Sequence, residues 1–458
     1  MTRLRSVVAI GVLLLGGSTA APVAATTASS AGDHASLSGT DARDRVEGQR
    51  GILKDRMKVV GHTDLGGSVL NADVWAHGGY AYVGVWSGSC PATGVKVVDY
   101  SRASRPRLVS SLPNDPGTSA EDIVVRSIST PSFTGDLAVT GIQRCDDPAQ
   151  PGFRGLAFFD VTTPEQPRAL GRWDAPVGSI GCHEIDLAQR PDGTVLAACA
   201  NILAEQVNNT DEVVLVDASD PTAPATAGGW SLRADLGIDP ADNPENVGCT
   251  PVSFAHSVRF VDHAKSLYAS YWDFGAVRLD VTDPGAPALL DRADVSPPDE
   301  DGDVHSLVRS DDAKTLIVNS EDFSPIEGCA PGVEGWGEVH LFDLAGSSPS
   351  LQSTFSTTNS RSERQDGFYS VHNTELAGRS QAFSSWYSDG IVWWDFADPA
   401  RPVQRGQFVP PTTADPTGSL PTAPIVWGVF VDRARDLILA SDMNSGLWIV
   451  RPVGLPDL

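Results

Sequence analysis

"VVLVDASDPTAP", Val213 to Pro224, is the stretch that decides the fold of this chain. Four branched apolar residues run into an aspartate, and a turn with two prolines follows. A short apolar run punctuated by Asp, Ser and Pro reads as a strand buried on both faces. The aspartate accepts backbone N–H groups in the turn, where proline presets φ. Nearly the same phrase returns as "VKVVDYSRASRP" (Val95–Pro106), "LAFFDVTTPEQP" (Leu156–Pro167), "AVRLDVTDPGAP" (Ala276–Pro287), "VHLFDLAGSSP" (Val339–Pro349) and "IVWWDFADPARP" (Ile391–Pro402).

The aspartates of the phrase, Asp99, Asp160, Asp217, Asp280, Asp343 and Asp395, lie about 50–63 residues apart. That period suits four short strands with their loops. Around Asp280 the four are "AHSVRFV" (Ala255–Val261), "LYASYW" (Leu267–Trp272), "AVRLD" (Ala276–Asp280) and "ALLDRADV" (Ala288–Val295). A last unit, Ile425–Pro452, supplies only three strands and has Arg451 where the aspartate belongs. "MKVVGHTDL" (Met57–Leu65) resembles the fourth strands and precedes every complete unit. An N-terminal strand that completes the C-terminal unit closes a ring and protects its sheet edges. The expected fold is all-β: a seven-bladed β-propeller of four antiparallel strands per blade over residues 57–458.

The phrases "VVLVDASDP", "GLAFFDVTTP" and "GLWIV" resemble the LVIVD-repeat propeller family, across about Met57–Leu455. The resemblance implies the propeller fold and brings no general set of catalytic residues. The sialidase Asp-box does not recur, and the WD dipeptide does not recur at one shared repeat position.

The N-terminus predicts export. Arg3 and Arg5 precede a short apolar run, Val7–Leu15, and small residues follow at Ser18–Ala20 and Val23–Ala25. This reads as a signal peptide over residues 1–25. Residues 26–56 have no apolar periodicity and read as a disordered leader. No later run is long enough to span a bilayer, so a secreted protein is expected. Six cysteines fit an oxidising compartment. Cys182 and Cys199 sit at the two ends of one hairpin and are expected to pair. Cys90 with Cys145, and Cys249 with Cys329, complete the expected set. The formal net charge of −25 repels phosphate backbones, which argues against a nucleic-acid partner.

Alignment of the first strand of each unit gives one shared position: Ala72, Glu121, His183, His256, His305, His372 and Trp427. Four successive units place histidine there, out of nine histidines in the chain. Neutral imidazoles converging on an axis suit Fe, Cu or Zn. The expected ligands are His183, His256, His305, His372 and Glu121, with Asp122 and Glu184 one residue further along as supporting groups. Asp273, Asp322, Asp389 and Asp442, at the ends of second strands, are expected to rim the same face and to orient the histidines, contact substrate or stand as solvated loop carboxylates. Copies of one buried, hydrogen-bonded structural histidine are the competing explanation.

The functional expectation is an exported metal-dependent oxidoreductase acting on a small molecule or extracellular ligand at the axial face, in a monomeric protein. A non-catalytic extracellular binding scaffold with a structural histidine ring is the alternative, and a metal-dependent hydrolase or lyase a third. Motifs of triad hydrolases, zincins and nucleotide-binding loops are absent.

Overall fold

A computed structural model describes residues 53–86, 94–145, 152–246, 251–295, 302–327, 335–362, 364–418 and 420–455. The signal segment, residues 26–52 of the leader, Cys90, Cys249 and Cys329 lie outside them.

The described chain is nearly all β. Two strands open it, β1 (Leu53–Asp55) and β2 (Met57–Thr63). Four-stranded antiparallel units follow. They are β3 (Asn71–His77), β4 (Tyr80–Val85), β5 (Val95–Asp99) and β6 (Arg107–Leu112); then β7 (Thr118–Ser129), β8 (Thr134–Arg144), β9 (Gly155–Asp160) and β10 (Arg168–Asp174). A single pair, Val85 with Ala120, joins these two units into one sheet. Next come β11 (Cys182–Gln189), β12 (Val195–Asn201), β13 (Val213–Asp217) and β14 (Ala225–Trp230), then β15 (Ala255–Val261), β16 (Ser266–Tyr271), β17 (Gly275–Asp280) and β18 (Ala288–Ala293). After them stand β19 (Val304–Arg309), β20 (Thr315–Ser320), β21 (Val339–Asp343) and β22 (Ser350–Phe355), and β23 (Thr374–Ala377), β24 (Gln381–Ser385), β25 (Ile391–Asp395) and β26 (Val403–Val409). The last strands are β27 (Val426–Asp432), β28 (Leu437–Asp442) and β29 (Gly446–Pro452), and β2 pairs antiparallel with β29 to make the fourth. The architecture is that of a β-propeller. Among the described residues no helix is long and apolar enough to cross a membrane.

The cores lie between neighbouring sheets. Leu437, Leu439 and Ile449 of the last sheet pack with Val74, Val83 and Val98 of the first, so the succession returns on itself. Each apolar phrase is a third strand. Each of its aspartates accepts the backbone N–H two residues on, at 2.8–3.0 Å, at Asp99, Asp160, Asp217, Asp280, Asp343 and Asp395 alike. These aspartates are structural turn residues.

The proline turn after each aspartate has a second task. Every fourth strand carries a register break, and the turn of the next unit rests on several of them. A side chain at Gly228 would meet the Pro284 carbonyl at 2.0 Å, and one at Gly171 the Pro221 carbonyl at 2.5 Å. Ser110 and Ser353 donate to the carbonyls of Pro164 and Pro399 at 2.5 Å. Gly61 in β2 receives the turn of the first unit, at the Ala103 carbonyl. At Gly406 in β26 the next unit has no aspartate phrase, and the Asp55 carbonyl stands there instead. The expected leader therefore ends earlier than residue 56. Leu53–Asp55 pairs with β26 because the missing turn leaves that outer strand uncovered.

Two expectations follow. A chain starting at Leu53 should unfold at the temperature of the full chain, whereas one starting at Asp64 lacks β2, exposes the edge of β29 and should aggregate, as read by light scattering. Gly228→Val forces a side chain against the Pro284 carbonyl and should cost about 1–3 kcal/mol in urea unfolding.

Candidate metal centre

In a regular strand, successive side chains point to opposite faces. The first strands of these sheets break that rule at one shared place. In β15, Ala255 pairs with Tyr271 and Ser257 with Ser270, which leaves His256 in a register break. His305 occupies the same break in β19 and Trp427 in β27. In β11 the break spans His183 and Glu184, in β7 Glu121 and Asp122, and in β3 Ala72 and Asp73. A bulge re-aims side chains, and here it turns two consecutive residues toward the axis. The histidines form one layer. The residues one further along each first strand, Asp73, Asp122, Glu184, Ser257, Ser306 and Asn373, line an axial cavity.

The structure brings the four expected histidines together in an arc. Ring centroids stand 4.3 Å apart from His183 to His256, 4.1 Å from His256 to His305 and 4.1 Å from His305 to His372. Trp427 closes the His372 end at 4.4 Å, and Trp272 lies 5.3 Å from His256. His183 is already engaged. Its Nε2 lies 2.9 Å from His256 Nε2, and its Nδ1 faces Gln143 at 2.5 Å and Glu121 Oε2 at 3.1 Å. By contrast, both ring nitrogens of His372 and the Nδ1 atoms of His256 and His305 are buried without a well-aligned hydrogen bond, and the three rings face the backbone of the next unit at Trp427, His305 and His372 in turn.

Two groups of ligand atoms lie within 4.8 Å of one another and could hold a metal ion: Glu184, His256 and His305, and His305, Glu321 and His372. They share His305, whose Nε2 is 3.9 Å from Glu184 Oε1 and 3.6 Å from Glu321 Oε2. Glu121 stands beside His183 rather than in either group. Glu321 was not read from the sequence. It precedes Asp322 as Trp272 precedes Asp273, so the position was repeated but its residue type was not.

The electrostatics match a neutral donor set. Burial, and then the neighbouring imidazoles, hold His256, His305 and His372 well below the ordinary histidine range. Burial pushes Asp73 and Glu184 well up, each raised further by the other carboxylates around the cavity. Asp122 is pushed up to about 7 by burial, against the Ile185 and Ile123 amides that bond it. Arg259 pairs with Glu375 on the same cavity wall.

The four rim aspartates turn out differently. Asp273, Asp322, Asp389 and Asp442 are buried, not solvated. Asp442 accepts the Ile425 and Ser445 amides at 2.6 and 2.7 Å, and Asp273 accepts the Val252 amide at 2.6 Å. Asp322 accepts from Ser324, and Asp389 accepts from Thr357 and Asn359. Each ties loop segments to a second strand, and none belongs to the candidate metal groups. The physical reason is the supply of loop N–H and O–H donors around each strand end, which a buried carboxylate satisfies.

Cys182 and Cys199 form a disulfide. It spans the register break that aims His183 and Glu184, since Cys182 pairs with Asn201 and Cys199 with Ile185. A closed loop with a sequence separation of 17 contributes about 3 kcal/mol in the chain-entropy account. Cys145 is also disulfide-bonded, with its partner outside the described residues.

The depressed histidines predict a pH dependence. His372 is buried and neutral in the folded chain but titrates near 6.5 when unfolded. Below that pH the unfolded state binds a proton that the folded state does not, so folding is disfavoured as pH falls. His372→Gln removes this effect. In unfolding at pH 6.5 and pH 5.5 without metal, wild type should lose about 1 kcal/mol relative to the variant.

Comparison with known proteins bears on the fold. Residues 71–113 match the family model of the LVIVD repeat. No curated protein matches the chain. Among solved structures, the crystal structure of Chaetomium thermophilum Raptor is similar, with a TM-score of 0.54 and 12% identity. The match covers 91% of this chain and 31% of that one, and at this identity it speaks for the fold alone.

Proposed function

We propose that this chain is an exported seven-bladed β-propeller that holds a transition-metal ion, iron, copper or zinc, on its axis and works as a metal-dependent oxidoreductase on a small extracellular molecule. One observation carries the metal reading. His256, His305 and His372 stand in sequence with ring centroids 4.1 Å apart, and both nitrogens of His372 are buried without a well-aligned hydrogen bond. Burying an unpaired imidazole is costly, and a metal ion removes the cost. Glu184 and Glu321, both facing His305 Nε2, supply carboxylates, and imidazole with carboxylate is a donor set for redox-active iron or copper as well as zinc. His183 and Glu121 serve in this reading to orient the neighbouring His256. The basic and apolar N-terminal segment and the disulfide support export.

The scaffold reading keeps two observations in its favour: His183 and His256 bond each other directly at 2.9 Å, and His256, His305 and His372 each face the backbone of the next unit, as structural histidines do. Elemental analysis separates the two. After dialysis against zinc, copper or iron(II) and removal of excess ion, wild type should retain one ion per chain and His305→Ala almost none. Retention should fall with pH, because a protonated imidazole cannot ligate. Equal retention by both proteins leaves the scaffold. Oxidoreductase chemistry further requires that the bound ion change its absorption or spin-resonance spectrum on reduction.

A further inference from the structure

Tyr387 stands just past β24 with φ of 37°, in the left-handed region where bulky residues are strained and glycine or asparagine is not. The surrounding chain holds it there, for its carbonyl accepts the Val426 and Gly390 amides at 3.0 Å. Strain retained at a buried aromatic residue asks what the position accomplishes. Here it delivers the phenol across the sheet boundary. Tyr387 Oη donates to Glu321 Oε1, and the Tyr387 ring lies 5.3 Å from that of His372. The other oxygen, Glu321 Oε2, faces His305 Nε2 at 3.6 Å. The phenol thus holds one carboxylate oxygen, and the second faces His305. Glu184, which also faces His305 Nε2, at 3.9 Å, has no such hydrogen bond among the described residues and shares the cavity wall with Arg259 and other carboxylates.

We infer that Tyr387 is a positioning residue that fixes Glu321 as the carboxylate ligand of the axial ion. This rests on the metal reading above. Outer groups that hydrogen-bond a ligand fix its orientation, and losing one weakens metal binding about 10- to 100-fold. Glycine at this place would ease the backbone and lose the phenol, so the strain is explained by the carboxylate it holds.

Cobalt(II) titration in competition with a chelator tests the assignment, on wild type, Tyr387→Phe, Glu321→Gln and the double variant. Phenylalanine keeps the ring and removes only the hydroxyl. Unfolding of the metal-free proteins checks that each variant folds. Tyr387→Phe should weaken cobalt binding about 10- to 100-fold and alter the visible cobalt bands. In the Glu321→Gln background the same change should alter affinity by less than about 2-fold, because the partner is gone. Unchanged affinity and bands in Tyr387→Phe, or an equal loss with and without Glu321, overturns the assignment while leaving the metal centre standing. A wild type that binds no cobalt overturns the metal centre itself and this inference with it.

Discussion

The alternation of side chains along a strand is the constraint that governs this molecule. It permits one face of a strand to supply only every second residue to the axis. A register break at the start of the first strands lifts that restriction. It gives the axis two adjoining layers, one of imidazoles and one rich in carboxylates. Neither layer is cheap to build. The first buries uncharged rings side by side, and the second brings acids close enough to raise one another. Sheets that are rigid and mutually packed hold both in place, and the Cys182–Cys199 bridge clamps the break where the two layers meet in one strand.

The outer part of the molecule answers a different demand, the joining of sheet to sheet. Each aspartate turn closes its own hairpin with a bond worth about 1 kcal/mol. The turn then lies on the neighbour's fourth strand, where glycine or serine leaves room. Residues that are small for this reason look unremarkable singly. Gly171, Gly228 and Gly406 acquire meaning only when the sheets are assembled. The repeated phrase is thus an adhesive between units as much as a strand and a turn.

That division explains what the sequence disclosed. Local signals, such as the apolar runs, the aspartates and the strand Met57–Thr63, announce strands and their closure, because they depend on neighbours in the chain. The histidines were legible because repetition aligned them. Glu321 and Tyr387 were not, since each belongs to a different unit and their meeting is a matter of three-dimensional packing. The rim aspartates carried the opposite lesson. Asp442 and Asp273 repeat as regularly as the histidines, yet their carboxylates are consumed by loop amides, and repetition alone does not separate a shared ligand from a shared structural bond. Leu53–Asp55 escaped notice for a third reason. Its strand pairing is imposed by the phrase missing after β29, several hundred residues away.

The seam where β1 and β2 join the end of the chain has a consequence for attachment. The Val453 amide donates to the Arg56 carbonyl at 2.7 Å, so the two ends of the described fold meet at one point on the outer rim. A polypeptide joined at Leu53 or Leu455 is attached at this outer rim, beside β1 and the end of β29. A carrier, a surface or a second domain fused there would hold the protein edge-on. The point of attachment would then lie on outer strands, whereas the histidine arc is carried by inner ones.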